Sequence, residues 1–324
     1  VQIRKYHPHK SVLFVTFSIE QGLLLLANPL CQAIVKSCLA RAQFKYPVRI
    51  SAFIINANHV HLVMVVDNPD NVTSFIQYFK TESAHMLNRV LGRRKRTIWC
   101  KGFDSPVVLT YTRTLIALSY LYANPAKDNL EENIEQFPGL SSWEMFISGK
   151  HTKHWKRLKR PAFKMLAKDS HNLRGYSKEA QRILSESKKT HEFTLSPNAW
   201  MEAFNITDSV EHERINKRII QRVRTLEQRA AKIRERLGKK VMGRDKLISQ
   251  SLNLNYQSNR SGKKMHCLSD DIKLRVEFIE FLKDLYAKAR DVLAQWRQGN
   301  LSARFPLGLY PPCMPKLAEP LGLW

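Results

Sequence analysis

Apolar and polar positions along this chain repeat with two different periods, and the places where the period changes mark out its elements. From Ser11 to Glu20 the run SVLFVTFSIE is short, β-branched and aromatic, which predicts a strand. From Asn28 to Phe44 the apolar residues Leu30, Ile34 and Leu39 fall on one side of a helix. Two more strands follow, Ile50 to Ile55 and Leu62 to Val66, separated by the turn-prone Asn56 and Asn58 and closed by the turn formers DNPDN, Asp67 to Asn71. A helix is expected over about Val72 to Leu91, then a basic loop, GRRKR (92–96), and the strand-like TIWCKGF (97–103). The helix from about Thr112 to Asn124 stops at Pro125, because a residue before proline is biased away from helix. This order predicts an α+β sandwich, one sheet with helices packed on it.

After SSWEMF, Ser141 to Phe146, the character changes. Residues 150–174 carry Lys150, Lys153, Lys156, Arg157, Lys159, Arg160, Lys164, Lys168 and Arg174 against the single acid Asp169, so a basic arm is expected there rather than a core of its own. From Asp208 to Leu237, apolar residues Ile219, Val223, Leu226, Ala230, Ile233 and Leu237 alternate spacings of four and three, the pattern of a helix packed on another helix. A second amphipathic helix, Asp270 to Trp296, is the expected neighbour. The proline-broken tail FPLGLYPPCMP, Phe305 to Pro315, is expected to lie as an extended strap. The expected organisation is an α+β domain over residues 1–149, a basic arm over 150–205, and a mainly α-helical basic region over 206–324.

Charge narrows the class of partner. Lys and Arg number 53 against 28 Asp and Glu, giving a formal net charge of +25 and a pI near 10.0 over 324 residues. The polyanion that rewards such a balance is nucleic acid, through phosphate contacts and counterion release. No apolar run reaches spanning length and no signal-peptide pattern opens the chain, so a cytoplasmic protein with no membrane partner is expected. The five cysteines, Cys31, Cys38, Cys100, Cys267 and Cys313, are scattered without a C-x-x-C pair and read as free thiols.

Two stretches carry chemistry. In NANHVHLVMVV, Asn56 to Val66, strand geometry puts His59 and His61 on one face, with Val60, Leu62 and Met64 on the other. Paired imidazoles suit a divalent metal, yet the same spacing is common in ordinary strands, so a third ligand is needed. In ALSYLYANPAKDNL, Ala117 to Leu130, Tyr120 and Asn124 are four apart and share a helix face. Tyr122 lies about 200° around the helix from Tyr120, so both cannot look at one point. Tyr111, Tyr78, His85 and the pair His151 and His154 are weaker candidates. For DNA, Gln77, Lys80, Thr81 and Arg89 on the helix expected over about Val72 to Leu91, the loop Arg93, Arg94, Lys95 and Arg96, and the strand residue Lys101 form a basic run with Trp99 and Phe103 interleaved, suited to phosphates and base stacking.

Together these motifs resemble the single-tyrosine transposases of the HUH superfamily, especially the REP-associated tyrosine transposases. NANHVHLVM resembles that family's "PNHVHLL", YLYANPAKDNL its "YIxxNPVRAGL", IWCKGFDS its "lWqgRfxS", and SSWEMF its "WSSY". The resemblance covers about residues 10–146. Ala126 stands where the family usually has valine, and Asp128 and Asn129 where it often has Ala-Gly. The resemblance implies a ferredoxin/RRM-like core with an antiparallel sheet. It implies that His59, His61 and Asn124 bind Mg²⁺ or Mn²⁺ and that Tyr120 attacks DNA, leaving a 5′-phosphotyrosine and a free 3′-hydroxyl. Two imidazoles would also accept Zn²⁺ or Ni²⁺. Its implied partner is single-stranded DNA folded as a hairpin, such as a palindromic repeat, bound by a monomer or homodimer near the nucleoid of a bacterium. The alternative reading is a non-catalytic, domesticated DNA-binding protein that recognises such repeats.

Overall fold

The computed structural model describes residues 5–90, 97–158, 187, 189–249, 265–309 and 311. Strands β1 (Val12–Ser18), β2 (Arg49–Ile55) and β3 (His59–Val65) form the centre of a sheet ordered β5-β2-β3-β1-β4-β8. The short strands β4 (Val107–Val108) and β5 (Leu140–Ser141) flank this centre, and β8 (Cys267–Leu268) adds the last edge. Every pairing is antiparallel except β4 with β8. The expected α+β class is what the chain adopts.

Two helical layers cover the sheet. On one face lie α1 (Pro29–Lys45) and α2 (Pro69–Val90), closing a core that takes Val60, Leu62 and Met64 from β3 and Phe75, Ile76 and Phe79 from α2. Helix α1 starts where it does because the Asn28 side chain accepts from the Leu30 and Cys31 amides and Pro29 occupies the first turn. On the other face lie α3 (Tyr111–Tyr122), the single turn α4 (Asn124–Lys127) and the short α5 (Trp143–Ser148), over a second core holding Ala52, Ile54, Val63 and Val65. Strand alternation thus sends adjacent residues of β3 into different cores.

The chain beyond 149 is built into both layers. Strands β6 (Thr152–Lys156) and β7 (Thr190–Thr194) pair as an antiparallel ribbon against α1, with Trp155 and Phe193 stacked at 4.5 Å beside Phe53. The start of the expected basic arm is therefore ordered by aromatic burial; 159–186 lie outside the described residues. The short α6 (Ala199–Glu202) buries Trp200 in the second core. The long α7 (Ser209–Arg236), capped by Asp208 on the Glu211 amide, places Ile215, Ile219 and Val223 in that core against α3. Its principal neighbours are α3 and α4, not the helix α9 (Ile272–Arg297), which follows the short α8 (Arg244–Ile248). The correction has a simple cause: a heptad-like stripe specifies an apolar partner and is silent about which one. Helix α9 instead sets Phe278 and Phe281 against Tyr6, while the His7 amide donates to the Gly308 carbonyl. Of the cysteines, Cys31, Cys38, Cys100 and Cys267 are free; Cys313 lies outside the described residues. No helix among the described residues is long and apolar enough to cross a membrane.

The N-terminal segment buries His7, whose Nε2 lies 3.0 Å from Ser105 Oγ. Burial, with the Lys5 charge, lowers its pKa to about 4. The folded state binds fewer protons than the unfolded chain between that value and the ordinary histidine value of about 6.5, so stability rises with pH across this window. His7→Asn should flatten the slope of unfolding free energy between about pH 4 and 6.5, read by urea titrations at several pH values. A slope identical to wild type would show that His7 protonates as freely folded as unfolded.

Candidate active site

The β1–β3 register decides which side chains meet. Thr16 pairs with His61 and Ser18 with His59, so these four residues share the face covered by α3. The imidazoles stand edge-to-face with ring centres 4.8 Å apart, and Phe14, one step along the same face, stacks on His61 at 5.3 Å. His61 is buried and its Nδ1 has no hydrogen-bond partner among the described residues. Burial pushes its pKa down to about 3, helped by the neighbouring His59 and Lys127. The pKa of His59 is lowered mainly by burial, against the Asp128 carboxylate and a hydrogen bond with Asn124. Both rings are thus held in the neutral form, the form that ligates metals.

Helix α3 brings the tyrosine. It begins with Thr110 accepting from the Arg113 amide and packs Leu115, Leu118 and Leu121 into the second core, which turns Tyr120 toward the histidines. The half-buried Tyr120 ring lies edge-on to His61 with centres 6.2 Å apart, and Lys127 Nζ sits 3.6 Å from the Tyr120 ring centre. Tyr122 points the other way, as the helix phase predicts. It is buried between Trp143 and Phe146, its hydroxyl lies 2.8 Å from Ser142 Oγ, and burial raises its pKa. Tyr111 stacks on Trp200, and Tyr78 takes a hydrogen bond from Arg41. Neither joins the histidines.

The fourth expected residue, Asn124, opens α4 and is buried beside His59. Between them is a residue that sequence reasoning read only as a turn former. The Asn56 carboxamide NH₂ donates to Asn124 Oδ1 and lies 2.8 Å from His59 Nε2, while the Asn56 amide donates to the His59 carbonyl across the tight turn. The lone pairs of His59 and Asn124 therefore converge on one partly positive group, and His61 beside them keeps an orphaned ring nitrogen. This donor set fits a cation. Among the described residues no three His, Cys, Asp or Glu side chains cluster as a metal site. The signal for Asn56 was its three-residue separation from His59 across a turn.

Two features hold the tyrosine's helix in place. Asn129 takes a left-handed φ of 55°, a conformation that asparagine tolerates, so the turn after α4 forms without glycine. Arg234 of α7, buried, donates to the Ala126 carbonyl at 2.7 Å and pairs with Glu132, while Glu227 accepts from the Ile134 amide. Arg234 thus grips the backbone between Asn124 and Lys127.

Of the expected DNA residues that the structure describes, Lys80, Trp99 and the loop bearing Lys101 meet where α2 packs against residues 99–102. Gln77, Thr81 and Arg89 lie on α2, in the layer on the opposite face of the sheet from His59 and His61. Lys80, also on α2, donates to the Cys100 and Gly102 carbonyls and so pins the 100–102 loop. Trp99 is a core residue: it is buried, donates to Ser83 Oγ and packs against Phe17 and Phe79, which leaves no face for a base. A composition of basic and aromatic residues could not tell a buried indole from an exposed one. Lys101 is exposed and lies on the loop that Lys80 pins. Arg93, Arg94, Lys95 and Arg96 lie outside the described residues.

Residues 25–116 match the family "Transposase IS200 like", a span that includes both histidines and ends four residues before Tyr120. None of the curated proteins matches the chain. Among solved structures, one similar chain is a REP-associated tyrosine transposase bound to a REP hairpin, at 17% identity and TM-score 0.40, covering 46% of this chain and 86% of that one. Another is a candidate transposase from Deinococcus radiodurans R1, at 15% identity and TM-score 0.28, covering 36% of this chain and 92% of that one.

Arg234→Ala removes a charged hydrogen bond to a buried carbonyl and should destabilise the chain by about 2–3 kcal/mol. Denaturant titration checks this, and a loss within about 0.5 kcal/mol, the range of an ordinary surface substitution, would mean that α7 does not brace α4.

Proposed function

From the IS200-like transposase family that residues 25–116 match, we propose that this chain is a metal-dependent transposase that cuts and rejoins single-stranded, hairpin-forming DNA through Tyr120. One observation carries the reading: Tyr120 from α3 and the neutral pair His59 and His61 from β3 meet on one face of the sheet, with Asn124 beside them.

His59, His61 and Asn124 would hold a divalent ion, Mg²⁺ or Mn²⁺, which when bound supplies Lewis acidity toward phosphate oxygens. The rest is done by the chain's own groups. Burial keeps both imidazoles unprotonated. The second core holds Tyr120 on the side toward the histidines, whereas the Tyr122 hydroxyl lies against Ser142. As the bond from Tyr120 Oη to phosphorus forms, the phosphorus–O3′ bond breaks; the phenol gives up its proton, and the departing 3′ oxygen takes one up as a hydroxyl. The resulting 5′-phosphotyrosine keeps the energy of the broken bond, so rejoining by a 3′-hydroxyl needs no nucleotide cofactor. In the reverse step, the Lys127 ammonium near the ring favours the negative charge that grows on the departing phenol oxygen. The excess of cations supplies non-specific affinity for the strand.

The test uses 3′-labelled hairpin-forming single strands from the encoding genome with Mn²⁺. Wild type should form a covalent protein–DNA adduct; Tyr120→Phe should form none and still bind the hairpin; Tyr122→Phe should form it. An adduct that survives Tyr120→Phe and disappears in Tyr122→Phe would reverse the assignment. Hairpin binding without an adduct in wild type would favour the non-catalytic DNA-binding reading.

Removing one ligand should act on metal and chemistry together. His61→Ala should weaken Mn²⁺ binding about tenfold or more while leaving hairpin affinity in chelator nearly unchanged. Calorimetric titration of Mn²⁺ into each protein reads the first effect independently of cleavage.

A further inference from the structure

The turn that joins β2 to β3 is fastened at each of its residues. The Asn56 amide donates to the His59 carbonyl at 2.9 Å, the Ala57 carbonyl accepts from the Leu26 amide at 2.8 Å, and the Asn58 carbonyl accepts from the Ile19 amide at 2.7 Å. Asn56 itself is wholly buried. Its side chain therefore has no path to solvent, and the freedom left to it is rotation of the carboxamide, a torsion whose preference in asparagine is broad.

The residue on the other side of His59 fixes where that ring keeps its lone pair. The Asn58 NH₂ donates to the Gly22 carbonyl at 3.2 Å, so the Asn58 oxygen is the atom that lies 2.8 Å from His59 Nδ1. A carbonyl oxygen only accepts, so Nδ1 carries the ring proton and the neutral ring presents its Nε2 lone pair to Asn56. The Asn56 NH₂ lies 2.8 Å from that Nε2 and also donates to Asn124 Oδ1. One amide group thus closes two acceptors, from β3 and α4. The other end of the same carboxamide is left over: Asn56 Oδ1 is buried and has no hydrogen-bond partner among the described residues. A buried acceptor without a partner is destabilising.

Half a turn of the carboxamide exchanges its two ends. The oxygen then stands beside His59 Nε2 and Asn124 Oδ1, and three acceptors with no proton among them call for a cation. Amide oxygens are ordinary ligands of hard divalent ions, and their attraction to a charge exceeds that to a neutral donor.

Resting on the metal reading above, we propose that Asn56 is a further ligand of that ion: turned oxygen-inward, its carboxamide joins His59, His61 and Asn124, and turned NH₂-inward it closes the same place. With Asn56 the donors are two imidazoles and two amides, all uncharged, which leaves the positive charge of the ion for the phosphate.

The test uses the full chain without DNA, so that it reads metal and not cleavage. In crystals of wild type grown with Mn²⁺, the anomalous signal should place the ion about 2.0–2.6 Å from Asn56 Oδ1, the range for oxygen on hard cations. In calorimetric titration, Asn56→Leu, similar in size but without an oxygen, should bind Mn²⁺ about tenfold more weakly or worse. Asn56→Asp, which keeps an oxygen but cannot donate, should bind Mn²⁺ more tightly than wild type and melt at a lower temperature in EDTA. An ion held by His59 and Asn124 with Asn56 Oδ1 out of reach, or Asn56→Leu binding Mn²⁺ as tightly as wild type, overturns the proposal while the metal reading stands. Unchanged melting of Asn56→Asp in EDTA removes the closing role of the NH₂. If Asn56→Leu does not fold, the wild-type crystals decide. If wild type binds no Mn²⁺, the metal reading falls and the role of Asn56 with it.

Discussion

The antiparallel register between β1 and β3 is the constraint on which the rest of this molecule depends. Because side chains alternate with a period of two, a slip of one residue would move His59 and His61 into the core under α1 and α2 and push Val60, Leu62 and Met64 onto the site face. Each of those aliphatic side chains is worth about 1.5–3 kcal/mol when buried, so the slip would cost several kcal/mol before any chemistry was lost. The apolar half of β3 thus fixes the position of its polar half. The same register sets Phe14 on His61 and carries the site face on to Thr16, Ser18 and Asp104.

The second half of the site depends on how α3 is held. The buried face of that helix, Leu115, Leu118, Leu121 and Tyr122, is fastened to the sheet and α7, leaving Tyr120 on the side toward the histidines. Helix α7 belongs to the part of the chain beyond the family match, yet through Ile215, Ile219, Val223 and Arg234 it packs on α3 and grips α4. The C-terminal region is therefore part of what positions the catalytic candidates, and β8 extends the very sheet on which they stand. A role in clamping DNA, suggested by its charge, would be added to this structural one.

Electrostatics acts at two ranges. The net charge of +25 gives attraction to any polyanion without choosing a face. Local desolvation does choose: it keeps His59 and His61 neutral amid many cations, and Lys127 adds positive charge near Tyr120 and His61. The cations of α2 lie in the opposite layer, and Lys80 is already bound to the loop that carries Lys101.

The sequence by itself determined what local periodicity and spacing can encode: the order of elements, the α+β class, the shared face of His59 and His61, and the opposite phases of Tyr120 and Tyr122. Those features follow from repeats of two and 3.6 residues, which every strand and helix must obey. Only the tertiary structure decided what meets across distance in the chain. That Trp99 is core, that Lys80 is spent on backbone carbonyls, that α7 seeks α3 and α4 rather than α9, and that Asn56 stands between His59 and Asn124 are all matters of partner choice. An apolar stripe or an amide states what kind of neighbour it needs, and many segments could supply one. Which one does so is settled by packing the whole chain at once, where volume, register and hydrogen bonding must be satisfied together.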